Sequence, residues 1–534
     1  MAHTFDYVIV GAGSAGCVLA NRLSADPSVQ VLLLEAGPRD RDPRIRIPAA
    51  FSKLFRSAVD WDFWTEPSDT TAGRSLYWPR GRVLGGSSSI NAMIYIRGNR
   101  ADYDDWAATG CDGWSFDEVL PYFIRSEHNE NGENEYHGVG GPLNVADQRD
   151  PNPLTRAWVE AGVQAGFERN RDFNAERQEG VGIYQATQKN GARHSASAAF
   201  LAPVRRRSNL TIWSKTLVLR IRTEDNRAVG VLAERDGREI FIRADREVVL
   251  AAGAIGSPQL LMLSGIGDAD ELQRHDIRVV ADLGGVGRNL QDHPIVGVRY
   301  RSSQPISLMN AESLQSLAQY LITRRGMLTS ILAEGGGFVS TRGDDRPDIQ
   351  FHFGPVFFDD HGFVKPTEHA FSIGPTLIRP LSRGTLTLRS TDPSDKPLLH
   401  PNYLSHPADI ASLAEGIRIA REIAHQAAFD PYRGDEMAPS ASAVDTDSIE
   451  RYIRETCETL YHPSGTCSMG IGEEAVVDPE LRVHGVENLR VVDASIMPTV
   501  IAGNTNAPVM MIAEKAADLI LGRVPATTAA AFSH

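Results

Sequence analysis

The chain opens on a β-branched and aromatic run at residues 5–10 (FDYVIV), which a glycine cluster halts. An apolar period of 3.6 then covers residues 15–23, and a second apolar run covers 29–34. Short apolar runs rich in β-branched residues read as strands and the 3.6 period as a helix, so the first 35 residues predict strand, turn, helix, strand. Residues 39–80 are irregular and rich in Pro, Arg and Trp, and 81–98 (GRVLGGSSSINAMIYIRG) predict a loop entering a helix. Between about 208 and 253, the runs LTIWS, AVGVLAE, EIFIRA and EVVLAAG predict four short strands, the last again running into a glycine, Gly253. Further on, QFHFGPV, TLTLRS and LRVVDASIMP read as strands, and 409–427 and 507–521 as helices. The last ten residues, PATTAAAFSH, read as a loose tail. With no internal repeat, this is an α/β pattern of sheet and covering helices.

At 534 residues the chain has room for two to four domains or one large interleaved body. Its 42% hydrophobic and 23% charged residues are those of a globular protein. The 54 basic against 68 acidic side chains leave a net charge of −14, a field that repels nucleic acid. Cys17, Cys111, Cys457 and Cys467 contain no C-x-x-C pair and are too scattered for a disulfide framework, which suits a reducing cytoplasm. The N-terminus lacks a basic region before its apolar run, and no stretch approaches the ~18 apolar residues of a membrane span. A cytoplasmic location is expected, with peripheral membrane contact left open.

Gly11, Gly13 and Gly16 form G-x-G-x-x-G directly after the first strand, and Glu35 ends the next. The first two glycines let backbone N–H groups approach a pyrophosphate at the helix N-terminus, the third allows tight helix packing, and the acid accepts from ribose hydroxyls. An acid there repels a 2′-phosphate and so disfavours NADP, while NAD and FAD both remain.

The segment GRVLGGSSSINAMIYIRGNRADYD resembles the first signature of the glucose-methanol-choline (GMC) family of FAD-dependent oxidoreductases. In order along the chain, GAIGSPQLLMLSGIG, GVGRNLQDHP, PLSRG, YHPSGTCSMG and DASIMPTVIAGNTNAP extend the likeness to essentially the whole sequence. Within the family it is most similar to the choline dehydrogenase and aliphatic alcohol dehydrogenase branch. The resemblance implies a Rossmann-like FAD domain assembled from 1–155, 200–300 and 455–525, a substrate domain of antiparallel sheet and helices from 156–199 and 301–454, and a tail at 526–534. It implies that the flavin lies against Gly85, Gly86, Ser87, Asn91 and Ala92, with Val218 at the adenine end and Asp493 and Asn506 as further contacts. Some members tether the flavin through a histidine where Ile90 stands here, so the FAD is expected to be noncovalent. His462 then serves as base and Asn504 as the amide holding the substrate oxygen. Glu334 falls at a position where a relative sets a carboxylate against a quaternary ammonium, and it also has a structural reading. The expected reaction oxidises a primary alcohol to an aldehyde, with electrons leaving to a quinone or another non-NAD acceptor. Oxygen as acceptor, choline as substrate and a lyase on the same scaffold are the alternatives.

Other residues carry less. His128 and His137 lie among acids without metal-ligand spacing and read as a solvated loop; no metal site is expected. Asp292 and His293 in LQDHP read equally as a structural turn or as chemistry, and stand outside the catalytic set. Cys467 reads as a packed thiol. Residues 43–64 and 314–325 mix apolar, aromatic and basic side chains, as a packed surface element, a lid or a lipid-facing surface would.

Overall fold

The structure is a computed structural model describing residues 3–524; the tail expected at 526–534 lies outside the described residues. Two sheets organise it. In the first, His3–Val10 lies parallel between Val31–Glu35 and Arg238–Leu250, with Leu210–Ser214 at one edge. Val31–Glu35 (VLLLE) is buried along its whole length, as a strand covered on both faces must be. Thr216–Glu224 and Arg227–Arg235 extend the sheet as antiparallel hairpins, and Leu489–Val491 joins it in parallel from the far end of the chain. The helices Ser14–Leu23 and Asn506–Leu521 pack against one another beside it.

The second sheet runs in the order Arg433–Ala438, Val298–Ser302, Ala370–Leu377, Ile349–Gly354, Gly335–Val339, Gly180–Ile183, every pairing antiparallel. The helix Pro407–Ala424 covers Ala370–Leu377, whose residues are all buried.

Two local expectations change. EIFIRA and EVVLAAG are one strand of 13 residues, Arg238–Leu250, because the charges between them sit in its exposed half. Residues 81–98 enter no α-helix, only a 3-10 turn at Gly86–Ser89. Positive φ at Gly85 (90°), Gly86 (52°) and Met93 (63°) breaks the helical path. The hydroxyls of Ser88 and Ser89 donate to the carbonyls of Gly85 and Leu84, supplying local bonds in place of a helical ladder.

Candidate functional site

A cavity of about 900 Å³ runs from the C-terminal ends of the parallel strands to the inner face of the second sheet. That position, beyond the carboxyl ends of parallel strands, is where doubly wound sheets bind ligands. Gly11, Gly13, Glu35, Gly86, Ser87, Asn91, Ala92, Val218, Asp493 and Asn506 all line it. Gly16 and Gly85 stand behind the lining. A Cβ on Gly16 would come within 1.9 Å of the Gly11 carbonyl oxygen, so only glycine permits the helix to start this close to the strand. Gly85 donates its N–H to the Ala12 carbonyl at 2.8 Å, tying the two glycine segments together.

The Glu35 carboxylate accepts from the N–H groups of Ala12 (3.0 Å) and Gly37 (2.8 Å), while burial pushes its pKa up to about 7. Asn91 Oδ1 accepts from Arg193 (2.7 Å), a buried guanidinium that desolvation pulls down to about 9. The Asp493 carboxylate gathers the N–H groups of Gly253 and Ser495, both at 2.8 Å, and the Ser257 hydroxyl at 2.6 Å. Asn506 Oδ1 accepts from Ser14 Oγ at 2.7 Å, joining the closing helix to the first. These residues suit a flavin dinucleotide: a Cβ on Gly253 would meet nothing within 4 Å, Gly11 and Gly13 line the cavity, and the buried Nε of Arg82 on the wall has no partner.

At the other end the side chains form a directed chain of hydrogen bonds. Gln350 Nε2 donates to Asn504 Oδ1 at 3.1 Å, which turns the Asn504 N–H toward His462 Nε2 at 3.3 Å. His462 Nδ1 lies 3.0 Å from His293 Nδ1. With Nε2 accepting from the Asn504 amide, the ring proton sits on Nδ1 and is donated to His293, so the unprotonated Nε2 is the nitrogen beside Asn504. The backbone is held too. Asp292 accepts from the His462 N–H (2.7 Å), from Thr459 Oγ1 (2.5 Å) and from the Tyr403 hydroxyl. Tyr461, just before the base, sits at φ 72°, and this network offsets the strain.

Burial is the main influence on all three imidazoles. It drives His462 well below the ordinary histidine value, with His293 and His352 adding repulsion, and pushes His293 and His352 down to about 3. They therefore stay neutral at physiological pH. The unfolded chain protonates histidines below about pH 6.5, and the folded chain does not until far lower. Between those limits the unfolded state binds more protons, so stability falls on acidification, by on the order of 1.4 kcal/mol per pH unit for each histidine. Buried carboxyls with raised pKa, Glu35, Asp102, Asp292 and Glu334, act in the opposite sense, while His194, pulled down to about 4, adds to the three imidazoles. Urea unfolding followed from about pH 7.5 to about pH 5 is expected to show steep acid destabilisation, shallower in a His293→Asn/His352→Asn variant; equal slopes would contradict this.

Sequence reading missed Asp292, His293 and Gln350 as members of this network, and His352 as an imidazole on the cavity wall. LQDHP had marked the first two without a role. The last two alternate with Phe351 and Phe353, and this period of two sends them toward Asn504 and the cavity while the phenylalanines pack on Trp158. Glu334 does not line the cavity. Its carboxylate accepts from Ser330 and Thr155 hydroxyls, both at 2.6 Å, and from the Asn152 N–H at 2.8 Å, behind the wall formed by Ile331, Leu332 and Ala333. His137 is not in a solvated loop but 2% exposed, between Glu127 (3.0 Å) and Asp172 (2.8 Å), with Glu127 also paired to Arg97. Cys467 is buried, its thiol pushed well up by desolvation, as a packed thiol is.

Residues 5–295 and 380–513 match the GMC oxidoreductase family. The chain is 46% identical to the alcohol dehydrogenase [acceptor] of Pseudomonas putida over 97% of its own length and 96% of that protein. It superposes on pyridoxine 4-oxidase from Mesorbium loti with a TM-score of 0.89 at 35% identity, covering 96% of this chain and 98% of that one. The formate oxidase of Aspergillus oryzae RIB40, solved in work on its FAD modification, gives 0.92 at 29% identity over 97% and 98%. With both halves of the chain matched and every motif in order, the chain belongs to the GMC oxidoreductase family of FAD-dependent enzymes.

Proposed function

We propose that the protein oxidises a primary alcohol to an aldehyde, with noncovalent FAD and a quinone or other non-NAD acceptor. One observation carries the reading: His462 Nε2 and the Asn504 amide meet on the cavity wall, each oriented from behind by a further side chain. FAD, when bound, supplies the hydride acceptor at its N5. His462 Nε2 takes the hydroxyl proton, its lone pair available because burial keeps the ring neutral. Asn504 then turns its N–H from His462 to the substrate oxygen and stabilises the charge that develops there. His293 accepts from Nδ1–H and keeps the ring in the productive tautomer.

The wall beside Ile90 and Ala92 is apolar and aromatic, with Phe51, Phe55, Leu332, Phe358 and Tyr461 in one cluster. Three nearby carboxylates are engaged internally: Asp359 with Arg299 at 2.6 Å, Glu458 with Arg74 at 2.8 Å, and Asp60 with the Tyr77 hydroxyl. The apolar, aromatic wall supports an aliphatic or aryl alcohol. Ile90 offers no ring nitrogen for a covalent tether, so acid precipitation is expected to release all the flavin into the supernatant.

Anaerobic mixing with a panel of alcohols tests the reaction: primary aliphatic or aryl alcohols should bleach the flavin, and a panel that leaves it oxidised would refute the assignment. Hydrogen peroxide formed stoichiometrically with aldehyde in air would replace the proposed acceptor with oxygen. Replacing His293 with Ala is expected to slow flavin reduction on the order of 100-fold with FAD retained, because a misaligned base loses its near-attack geometry. His293→Asn, which keeps an acceptor, should recover part of the rate; equal rates in both variants and wild type would remove its positioning role.

A further inference from the structure

The helix Leu314–Thr323 is built inside out. Only Ser316 and Tyr320 of its residues are buried, whereas Leu314, Leu321 and Ile322 are 86%, 60% and 83% exposed and Leu317 is 38% exposed. The spacing 314, 317, 321, 322 puts these four on one face, so a continuous aliphatic stripe points away from the protein. Single exposed leucines need no explanation, but a stripe with helical spacing turned to water marks a surface made for an apolar partner.

The rim of this stripe is basic on a chain whose net charge is −14. Arg324 follows the helix directly, the Arg149 guanidinium donates to its carbonyl at 3.0 Å, and the Tyr320 hydroxyl donates to the Arg46 carbonyl at 3.3 Å. Among the described residues no ion pair engages Arg46, Arg149 or Arg324. Lys53 and Arg325 add two further cations, paired to Glu312 and Asp150. A second copy of the chain would bring the same positive rim against itself, which like-charge repulsion opposes; anionic headgroups around an acyl layer complement both features at once.

We infer that Leu314–Thr323 seats the protein on an anionic lipid surface, with the aliphatic stripe in the acyl boundary and Arg46, Arg149 and Arg324 among the headgroups. The seat adjoins the cavity. Tyr320 packs in one cluster with Leu308, Ala311, Leu328, Leu332 and Val356, and the last two line the cavity. Docking in this way sets the apolar end of the cavity beside the bilayer, where apolar alcohols and quinones concentrate. The inference rests on this surface and holds whatever the reaction proves to be.

The test is sedimentation of the FAD-loaded protein with phosphatidylcholine vesicles, with and without phosphatidylglycerol. Wild type is expected to pellet with the anionic vesicles, less so at high salt. A Leu314→Gln/Leu321→Gln/Ile322→Gln variant should lose at least about tenfold in partitioning, and an Arg46→Glu/Arg324→Glu variant a similar factor, at about 1 kcal/mol per basic residue near the surface. Both should keep bound flavin and wild-type turnover of a water-soluble alcohol with a soluble dye. Three results would overturn the inference: wild type left in the supernatant, the glutamine variant pelleting as well as wild type, or a light-scattering mass that halves in that variant and so assigns the stripe to a second copy.

Discussion

His462→Ala is expected to purify yellow, with FAD bound, and to lose about three orders of magnitude in the rate of flavin reduction by alcohol. A positioned general base contributes roughly 10²- to 10⁴-fold. The upper half of that range applies here because no other group on the wall is placed to take over. His293 faces the far nitrogen of the same ring, and Asn504 presents an amide, which is no base. Two other imidazoles stand on the lining, but His352 Nδ1 is held by Thr376 Oγ1 at 3.0 Å, and His361 is engaged at both nitrogens, by the Tyr461 hydroxyl at 2.8 Å and Glu458 at 3.3 Å. His462→Gln keeps a polar side chain of similar reach without a basic nitrogen and should be as slow. Stopped-flow mixing under anaerobic conditions reads the step directly, and a reduction rate near wild type in either variant removes His462 from the role of base.

The second large effect is on the cofactor. Gly86 sits at φ 52°, and a Cβ there would stand 2.6 Å from the Cα of Gly13, the middle glycine of the opening fingerprint. Gly86→Ala therefore pushes two backbones apart where both line the cavity. Left-handed backbone costs a non-glycine residue roughly 1–2 kcal/mol, and overpacking of this kind about 1–3. Together they amount to a loss of FAD affinity of about 100-fold or more, measurable by fluorescence titration of the apoprotein. Gly472→Ala, whose Cβ would meet nothing within 4 Å, is the matched control and should bind as wild type. If both variants bind FAD equally well, the contact between the two glycine segments does not shape the cofactor site.

Much of this arrangement was legible beforehand because it is written locally. A strand, three glycines and an acid one strand later identify a dinucleotide turn, since the φ angles and close approaches it needs admit few other residues. The helix at 407–424 and the closing helix at 506–521 were visible in their periods. The helix expected within 81–98 failed for a local reason as well: serine hydroxyls and positive-φ glycines compete with the helical ladder, and that competition outweighs the apolar run behind them.

Residue types and their neighbours in sequence thus determined the family, the nucleotide turn and the candidacy of His462 and Asn504. Only tertiary structure decided that His293 and Gln350, 169 residues before His462 and 154 before Asn504, orient those two side chains, because hydrogen bonds between residues far apart in the chain leave no periodic trace. It also decided that Glu334 satisfies its carboxylate behind the wall, that His137 is a buried ion-pair partner, and that the stripe of Leu314–Thr323 faces outward. A helical period fixes which residues share a face; which way that face turns is chosen by what the rest of the chain packs against it.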